Sequence, residues 1–498
     1  FRSIYPIHIR HNMGANLSLG KATNDVPSHG KEVTLAFLQQ HWSTNIVSFK
    51  VEPVMAETRK GVFKEDGGGA SGPSIVRLLL TWADGKFTEE QPETCVLKTE
   101  DNMKNPPYPM ITRYVFHLCE WIPVELQANE CNWYGLNAQI AREYGFSMPK
   151  TYCAIRSHHK IKRPSGRQIT FRDARQNFRT CVIMEDMNDY SSPPQQSNLS
   201  TEKLNAALQN MAKLHAAYWG RTTEFDWIDG SRNRTCTWLK HIIISADSNL
   251  PLLGKPKQTF HKTTIVQDVI KDFTTPVGDN LFKTYCDGKN WFADEGVQAA
   301  LIAFKDKLAN DEDARNKILN TPLDHQTINH GDCHAWNHMF LNDDVKESKS
   351  SSPYVKAVDF GFVGGGRPTW DLIYFFAMSV KAGDYQADMK ALRLYYDALC
   401  AAGEKNPNFN PLEYTFEFFL SEFFRLWGTH LIGTCSSSKA VTNSKYLEKQ
   451  RHKNDGGKGE TLTFATVVMY ARILERAVDY HKNGVFDKFG PGVKPGDS

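Results

Sequence analysis

The sequence predicts an α+β protein in which antiparallel strands and one helix come first and helices dominate afterwards. Three observations carry this expectation. Runs of β-branched and apolar residues, separated by glycine-rich or charged turns, fill residues 46–99. Helical patterns dominate from Asp359 to about Lys482, broken by a polar stretch from Ser436 to Glu460. A chain of 498 residues, 41% hydrophobic and 23% charged, is soluble-globular in composition and long enough for a large core in two lobes.

The elements follow in order. Residues 1–33 are polar and aperiodic, as in a flexible tail. Thr34 is placed to cap a short helix carrying Leu35, Phe37, Leu38 and Trp42. Ile46 to Phe63 contains a strand, Ser74–Trp82 is a second and Thr94–Thr99 a third. Between the first two lies a glycine-rich turn in which Gly67, Gly68, Gly69 and Ser71 fall within a G-x-G-x-x-G run. Such a turn suits backbone N–H groups approaching a polyphosphate, and equally suits a surface loop. Lys98, flanked by apolar residues on the third strand, is placed like a phosphate-binding lysine or like an outward-facing strand lysine.

Leu126 to Tyr144 reads as a helix with Leu126, Glu130, Trp133, Asn137 and Ile140 on one stripe. A glutamate on that stripe wants a cation, and Lys98 is the candidate. Thr180–Met184 is a short apolar strand running into Glu185-Asp186-Met187, where backbone groups of Glu185 and Met187 could meet an adenine edge. Ser200 caps a helix with Leu204, Ala207, Leu208, Met211 and Leu214 on one face. His215 at its end reads as a satisfied core histidine. Residues 221–320 are loop-rich, then helical from about Asp294.

The chemistry concentrates in His330-Gly331-Asp332-Cys333-His334-Ala335-Trp336-Asn337, followed across a polar loop by Asp359-Phe360-Gly361. Transfer of a phosphoryl group to a hydroxyl needs a carboxylate to take the hydroxyl proton, and oxygen ligands to hold Mg2+ against the phosphates. Asp332 is the candidate base, and Asn337 and Asp359 are the candidate metal ligands. His338–Asn342 and Tyr354–Asp359 read as short strands. Paired antiparallel, they would bring Asn337 and Asp359 to the same end.

These residues resemble the kinase-like phosphotransferases that include aminoglycoside phosphotransferases, choline/ethanolamine kinases and, nearest in pattern, the ecdysteroid kinase-like (CHK kinase-like) proteins. The resemblance rests on Leu97-Lys98, Glu130 with Tyr134, Met184–Met187, Lys213–Trp219, His330-Gly331-Asp332 with Asn337, Val358-Asp359-Phe360 and Arg367–Phe375. It implies a two-lobed protein-kinase-like fold with an N-lobe antiparallel sheet plus helix and a mainly helical C-lobe. A nucleotide-binding N-lobe would span 34–187 and a C-lobe with the catalytic loop and acceptor site 188–490, with 491–498 as a C-terminal tail. It also implies ATP, Mg2+ and a small-molecule alcohol, sterol-like or other, as acceptor. The glycine turn is richer than usual for the group, and 341–353 and 436–460 look like insertions.

Three other readings are weighed. A protein kinase is opposed by Gly331 in place of an arginine, and by the eleven residues between Asp359 and Asp371, which leave no activation segment. A pseudokinase binding module lacks sequence support, since Lys98, Glu130, Asp332, Asn337 and Asp359 are all present. An aminoglycoside or choline-type acceptor stays open through Glu413, Glu417 and Glu422, while aromatics such as Trp238, Tyr285, Phe423 and Trp427 would suit a lipophilic one.

A formal charge of +3 without a basic block predicts no nucleic-acid partner. Ten scattered cysteines without a C-x-x-C pair point to reduced thiols and a cytoplasmic protein. No apolar run approaches a membrane span, and no secretory h-region is expected at the N-terminus. If Met13 initiates translation, Gly14 fits the myristoylation pattern and the protein would associate weakly with membranes.

Overall fold

The computed structural model describes residues 26–27, 29–54, 74–101, 126–158, 178–193, 198–225, 325–347, 349 and 351–427, with scattered positions in 294–302 and 469–489. The turn holding Gly67, Gly68, Gly69 and Ser71 lies outside the described residues, as do Met13-Gly14, most of 221–320, the 436–460 stretch and 491–498. Two compact units are present, one from residues 26–54, 74–101 and 150–186, the other from 126–149 and from 187 onward.

In the first unit the Thr34 hydroxyl accepts from the Phe37 N–H at 3.1 Å and starts helix α1, Leu35–His41. Five strands follow: β1 (Ile46–Pro53), β2 (Ser74–Trp82), β3 (Thr94–Asp101), β4 (Thr151–His158) and β5 (Phe178–Glu185). They form one antiparallel sheet in the order β1-β2-β3-β5-β4, with β3 at its centre. The two-residue period of a strand sorts the side chains. Cys95 and Leu97 of β3 join Val76, Leu78, Cys181 and Ile183 in a core closed by Phe37 and Leu38 of α1. Lys98 takes the opposite face, across from Ile75 and Val182.

Two features of this unit were not legible beforehand. The tail expected over 1–33 ends earlier: Val26 and Val33 are buried in the sheet's core around a 3-10 turn at Gly30–Glu32. Gly30 lies so close to Val76 that an added Cβ would sit 2.6 Å from it. Two valines seven residues apart among polar neighbours are too sparse to show as a period. Strand β4 also has no counterpart in the sequence expectations. It is an edge strand that ends in Arg156-Ser157-His158, so its apolar alternation is weak.

The second unit begins with helix α2, in which Leu126–Asn132 and Ala138–Glu143 flank a π-wound turn at Trp133–Asn137. After β6 (Tyr190–Ser191) comes α3, Thr201–Ala217, capped by the Ser200 hydroxyl and buried along Ala207, Leu208, Met211 and Leu214. Next come β7 (Thr327–Asn329), β8 (His338–Leu341), the single turn α4 (Asp343–Lys346), β9 (Val355–Ala357), β10 (Gly364–Gly366), α5 (Thr369–Ser379) and α6 (Tyr385–Gly403). Strand β7 pairs with β10, and β6, β8 and β9 form a three-stranded sheet. The polar loop expected after residue 342 therefore contains a helical turn. It is held to α3 by Lys346 on Glu202 at 2.5 Å and to the β5–β6 connection by Lys349 on Asp189.

Helices α3, α5, α6 and the helical stretch 416–427 share one core, rich in Phe375, Phe376, Tyr395, Phe419 and Phe423. Phe423, Phe424 and Trp427 are fully buried in it and line no open surface. Among the described residues no helix is long and apolar enough to cross a membrane. An antiparallel sheet in one unit and a mainly helical second unit give the α+β class that the sequence implied.

Candidate active site

The second unit holds His330–Asn337 between two antiparallel pairings. Strand β7 delivers the loop and pairs Asn329 with Gly364. Strand β8 leaves it and pairs His338 with Ala357 of β9. The Val358 N–H then donates to the Asn337 carbonyl at 3.0 Å, which puts the Asn337 backbone one residue from Asp359. The strands expected at 338–342 and 354–359 are thus present, slightly shorter, and antiparallel as required.

Gly331 adopts φ +84°, and a Cβ on it would collide with the carbonyl oxygen of Phe362. No side chain can stand there without moving the backbone. Among the described residues Asp359 is the only non-glycine with positive φ, at +68°. Aspartate tolerates that region better than most residues, and its neighbours fix it there. Phe360 is fully buried between Trp133, stacked at 4.9 Å, Tyr134 and Phe146, both edge-on, and His330 at 4.5 Å.

The loop hangs on a buried carboxylate. Asp371, the third residue of α5, is fully buried and accepts from the backbone N–H groups of His330 (2.7 Å) and Gly331 (2.9 Å). His215 Nε2 lies 3.1 Å from the same carboxylate, and its Nδ1 lies 2.7 Å from the Tyr395 hydroxyl. Burial pushes Asp371 up, but the His215 hydrogen bond and nearby donors outweigh it and hold the carboxyl below its usual range. His215 is therefore a satisfied core histidine that orients the group holding the loop.

His330 has a determined tautomer. An amide can only donate and a carbonyl only accept. Its Nδ1 therefore accepts from the Asp332 N–H at 3.3 Å, and its Nε2–H donates to the Val358 carbonyl at 2.9 Å. Nδ2 of Asn337 donates to the Asp332 carbonyl at 2.9 Å and to the carboxylate Oδ2 at 3.3 Å. The amide nitrogen is thereby committed, which leaves the carbonyl oxygen as the end of the Asn337 side chain with lone pairs to offer. The Asp332 side chain retains 26% exposure, with His334 Nε2 3.5 Å from its Oδ2. Burial raises its pKa and the Asp359 charge adds to that. His334 and His330 more than compensate, so the carboxyl lies below the ordinary value and is ionised at neutral pH.

The other expected site residues divide between the units. Lys98 is half-buried on the central strand of the first unit, and Glu130 is buried on α2 of the second. Glu185 ends β5, where its Oε2 accepts from the Lys150 N–H at 3.0 Å and its own N–H donates to the Lys150 carbonyl at 2.8 Å. The Met187 carbonyl accepts from the Tyr190 N–H at 3.0 Å. Between them in sequence, Asp186 is clamped by Arg77 of β2 through two hydrogen bonds, at 2.6 and 3.3 Å. Glu422 is consumed by Arg367 and by the Tyr414 hydroxyl, while Glu413 and Glu417 are exposed, so the three do not act as one carboxylate cluster.

The sequence reading missed Tyr395, Arg77 and the role of Asp371. Asp371 had a signal, an acid inside the apolar run Trp370-Asp371-Leu372-Ile373, where a buried charge demands donors. Arg77 and Asp186 are 109 residues apart and had none.

The ecdysteroid kinase-like family model matches residues 252–405, the stretch that contains Asp332, Asn337, Asp359 and Asp371, and the resemblance read from the motifs is shown there. No curated protein matches the chain. Among solved structures, a putative aminoglycoside phosphotransferase from Ralstonia eutropha JMP134 is 15% identical, covers 90% of this chain and 97% of its own, and scores a TM of 0.36. Amicoumacin kinase hAmiN, in complex with AMP-PNP, Ca2+ and Ami, is 11% identical over 84% of this chain and 89% of its own, with a TM-score of 0.34. Macrolide 2'-phosphotransferase MphH from Brachybacterium faecium is 11% identical over 85% and 92%, at 0.29. At such scores these likenesses decide neither acceptor nor mechanism.

Proposed function

We propose that this protein is a small-molecule kinase that transfers the γ-phosphoryl group of ATP to a hydroxyl of a sterol-like or other small alcohol. The observation that carries the reading is the tie between Asn337 and Asp332. One amide bonds both the backbone carbonyl and the carboxylate of the candidate base, with the hairpin bringing Asp359 alongside.

The donor set suits Mg2+, which binds through one or two protein oxygens and takes the remainder from phosphate and water. Among the described residues no group of three His, Cys, Asp or Glu could hold a metal, and such an ion needs none. Asn337 Oδ1 and the Asp359 carboxylate would hold the ion, which when bound neutralises charge on the phosphates. Asp332, ionised, orients the acceptor hydroxyl and takes its proton as the oxygen forms its bond to the γ-phosphorus and the bond to the departing diphosphate breaks. Lys98 is assigned to the α/β-phosphates with Glu130 as its partner. The turn with Gly67, Gly68, Gly69 and Ser71 is assigned to the phosphates, and Glu185 and Met187 to the adenine edge. The scattered cysteines, with no C-x-x-C pair in the sequence, are the ground for assigning a cytoplasmic setting.

An aminoglycoside-type acceptor is less favoured because the buried Arg367 and Tyr414 already occupy Glu422. Incubation with γ-labelled ATP and two panels, lipophilic alcohols and amino-alcohols, tests the proposal by mass spectrometry. A phosphate monoester formed with one ATP consumed per alcohol is the expected result. Phosphorylation of generic protein substrates, with no product from either panel, would replace this reading by a protein kinase.

A further inference from the structure

The clamp of Arg77 on Asp186 skips a strand. In the sheet, β3 lies between β2, which carries Arg77, and β5, which leads to Asp186. Arg77 stands opposite Val96, and Val96 opposite Met184. Asp186 comes two residues after Met184, so strand alternation sends its side chain to the face that Arg77 occupies. Neighbouring strands are about 4.8 Å apart, so the guanidinium must reach over β3 to meet the carboxylate. It does so through Nε at 2.6 Å and Nη2 at 3.3 Å.

This face of the sheet is the one turned away from the packed core. It carries Lys98 together with Ile75 and Val96, all three half-buried. A flat apolar floor with one ammonium group on it suits a planar base that has phosphates attached. The clamp is not needed for strand pairing. The register of β5 is already set as far as Glu185, by Cys95 of β3 on one side and by Lys150 on the other. Arg77 acts on the next residue, the first beyond the sheet. Both oxygens of the Asp186 carboxylate meet one guanidinium, an arrangement that fixes direction as well as distance. The Asp186 side chain is only 6% exposed, so its charge depends on that partner.

We propose that Arg77 is a positioning residue for the nucleotide base: by strapping Asp186 across β3 it fixes the chain at the end of β5 in the setting that meets the purine edge. The proposal rests on the assignment of Glu185 to the adenine edge made above. Arg77 acts through Asp186, and its influence is confined to the base, since the phosphates are assigned to other residues.

The test is calorimetric titration, with Mg2+ present, of AMP-PNP and of inorganic tripolyphosphate, which has no base. Wild type is compared with Arg77→Met, which keeps the stem over Val96 and loses the fork. A double variant, Arg77→Met with Asp186→Asn, leaves no charge stranded and decides the matter if the single variant does not fold. In both, the dissociation constant for AMP-PNP should rise roughly tenfold or more, while that for tripolyphosphate stays as in wild type. Variants that bind AMP-PNP like wild type overturn the positioning role and leave the kinase reading standing. Equal losses for the two ligands also overturn it, by reducing the clamp to support of the fold. If wild type binds AMP-PNP no better than tripolyphosphate, no base is read and the proposal falls while the phosphate site stands. If wild type binds neither ligand, the kinase reading falls and this proposal with it.

Discussion

Strands of eight or nine residues in the first unit hold their register by alternation, whereas the three- and four-residue strands around Asp332 hold theirs through buried polar side chains. In the sheet, Cys95 and Leu97 turn inward and Lys98 outward because the strand period is two, and the apolar core on one face penalises any slip. In the ribbons β7–β10 and β8–β9 no such face is long enough. Three glycines of β10 contribute no side chain at all. The loop is instead fixed by Asp371, His215, His330 and Asn337, each hydrogen-bonded to the loop or to a residue that is. A region held by packing should fail by opening a cavity, and a region held by a polar hub should fail by leaving charges and donors unpaired.

The largest break is chemical. Asp332→Asn should lower turnover on the order of 10²–10⁴-fold while ATP affinity, measured by titration, is largely kept. Near-normal turnover would remove Asp332 from the role of base.

Next comes the hub. Asp371→Ala strands two backbone N–H groups and His215, and should destabilise by about 3–5 kcal/mol in chemical denaturation. The same carboxylate has a pH signature. Its folded pKa is depressed, so its stabilisation is complete above the ordinary carboxylate pKa and is lost as the pH falls through the lower, folded value. Wild type should therefore lose stability on acidification more steeply than Asp371→Asn. Parallel curves for the two would show that the hub carries no such linkage.

The sheet gives the contrasting case. Leu97→Ala should cost about 2–5 kcal/mol through the cavity it opens. That loss should be the same at pH 5 and pH 7, because no titrating group is involved. The smallest effect sharpens the comparison from the rim of the hub: Tyr395→Phe removes the hydroxyl from His215 and should cost about 1 kcal/mol. A loss as large as that of Asp371→Ala would mean that Tyr395 is as central to the hub as the carboxylate.

The same contrast explains what could be read in advance. The runs at 46–53, 74–82 and 94–99, the Thr34 and Ser200 caps and the core face of α3 follow from periodicity and local hydrogen bonding, which neighbouring residues fully determine. Asp332, Asn337 and Asp359 could be singled out because the proposed phosphoryl transfer would need such groups at that spacing; what the structure adds is the amide bond from Asn337 to Asp332 and the hairpin that sets the Asn337 backbone beside Val358-Asp359. The clamp of Arg77 on Asp186, the link from Tyr395 to His215 and the seat of Val26 depend on contacts made over 100 or more residues, or on isolated side chains. The π turn of α2 was hidden for another reason: its stripe fits an α-helix, and nothing in the spacing marks where the winding loosens, at Trp133, which stacks on Phe360.

The pressure of the Phe362 carbonyl on Gly331 has a consequence for how this loop can change over time. A side chain at position 331 would need the glycine's left-handed backbone and the facing peptide to be rebuilt together. No single substitution opens a path from this loop to one with an arginine that senses a phosphorylated segment. Each half-step leaves a clash where the candidate base is held, so the two styles of loop are separated by a gap that drift one residue at a time does not cross.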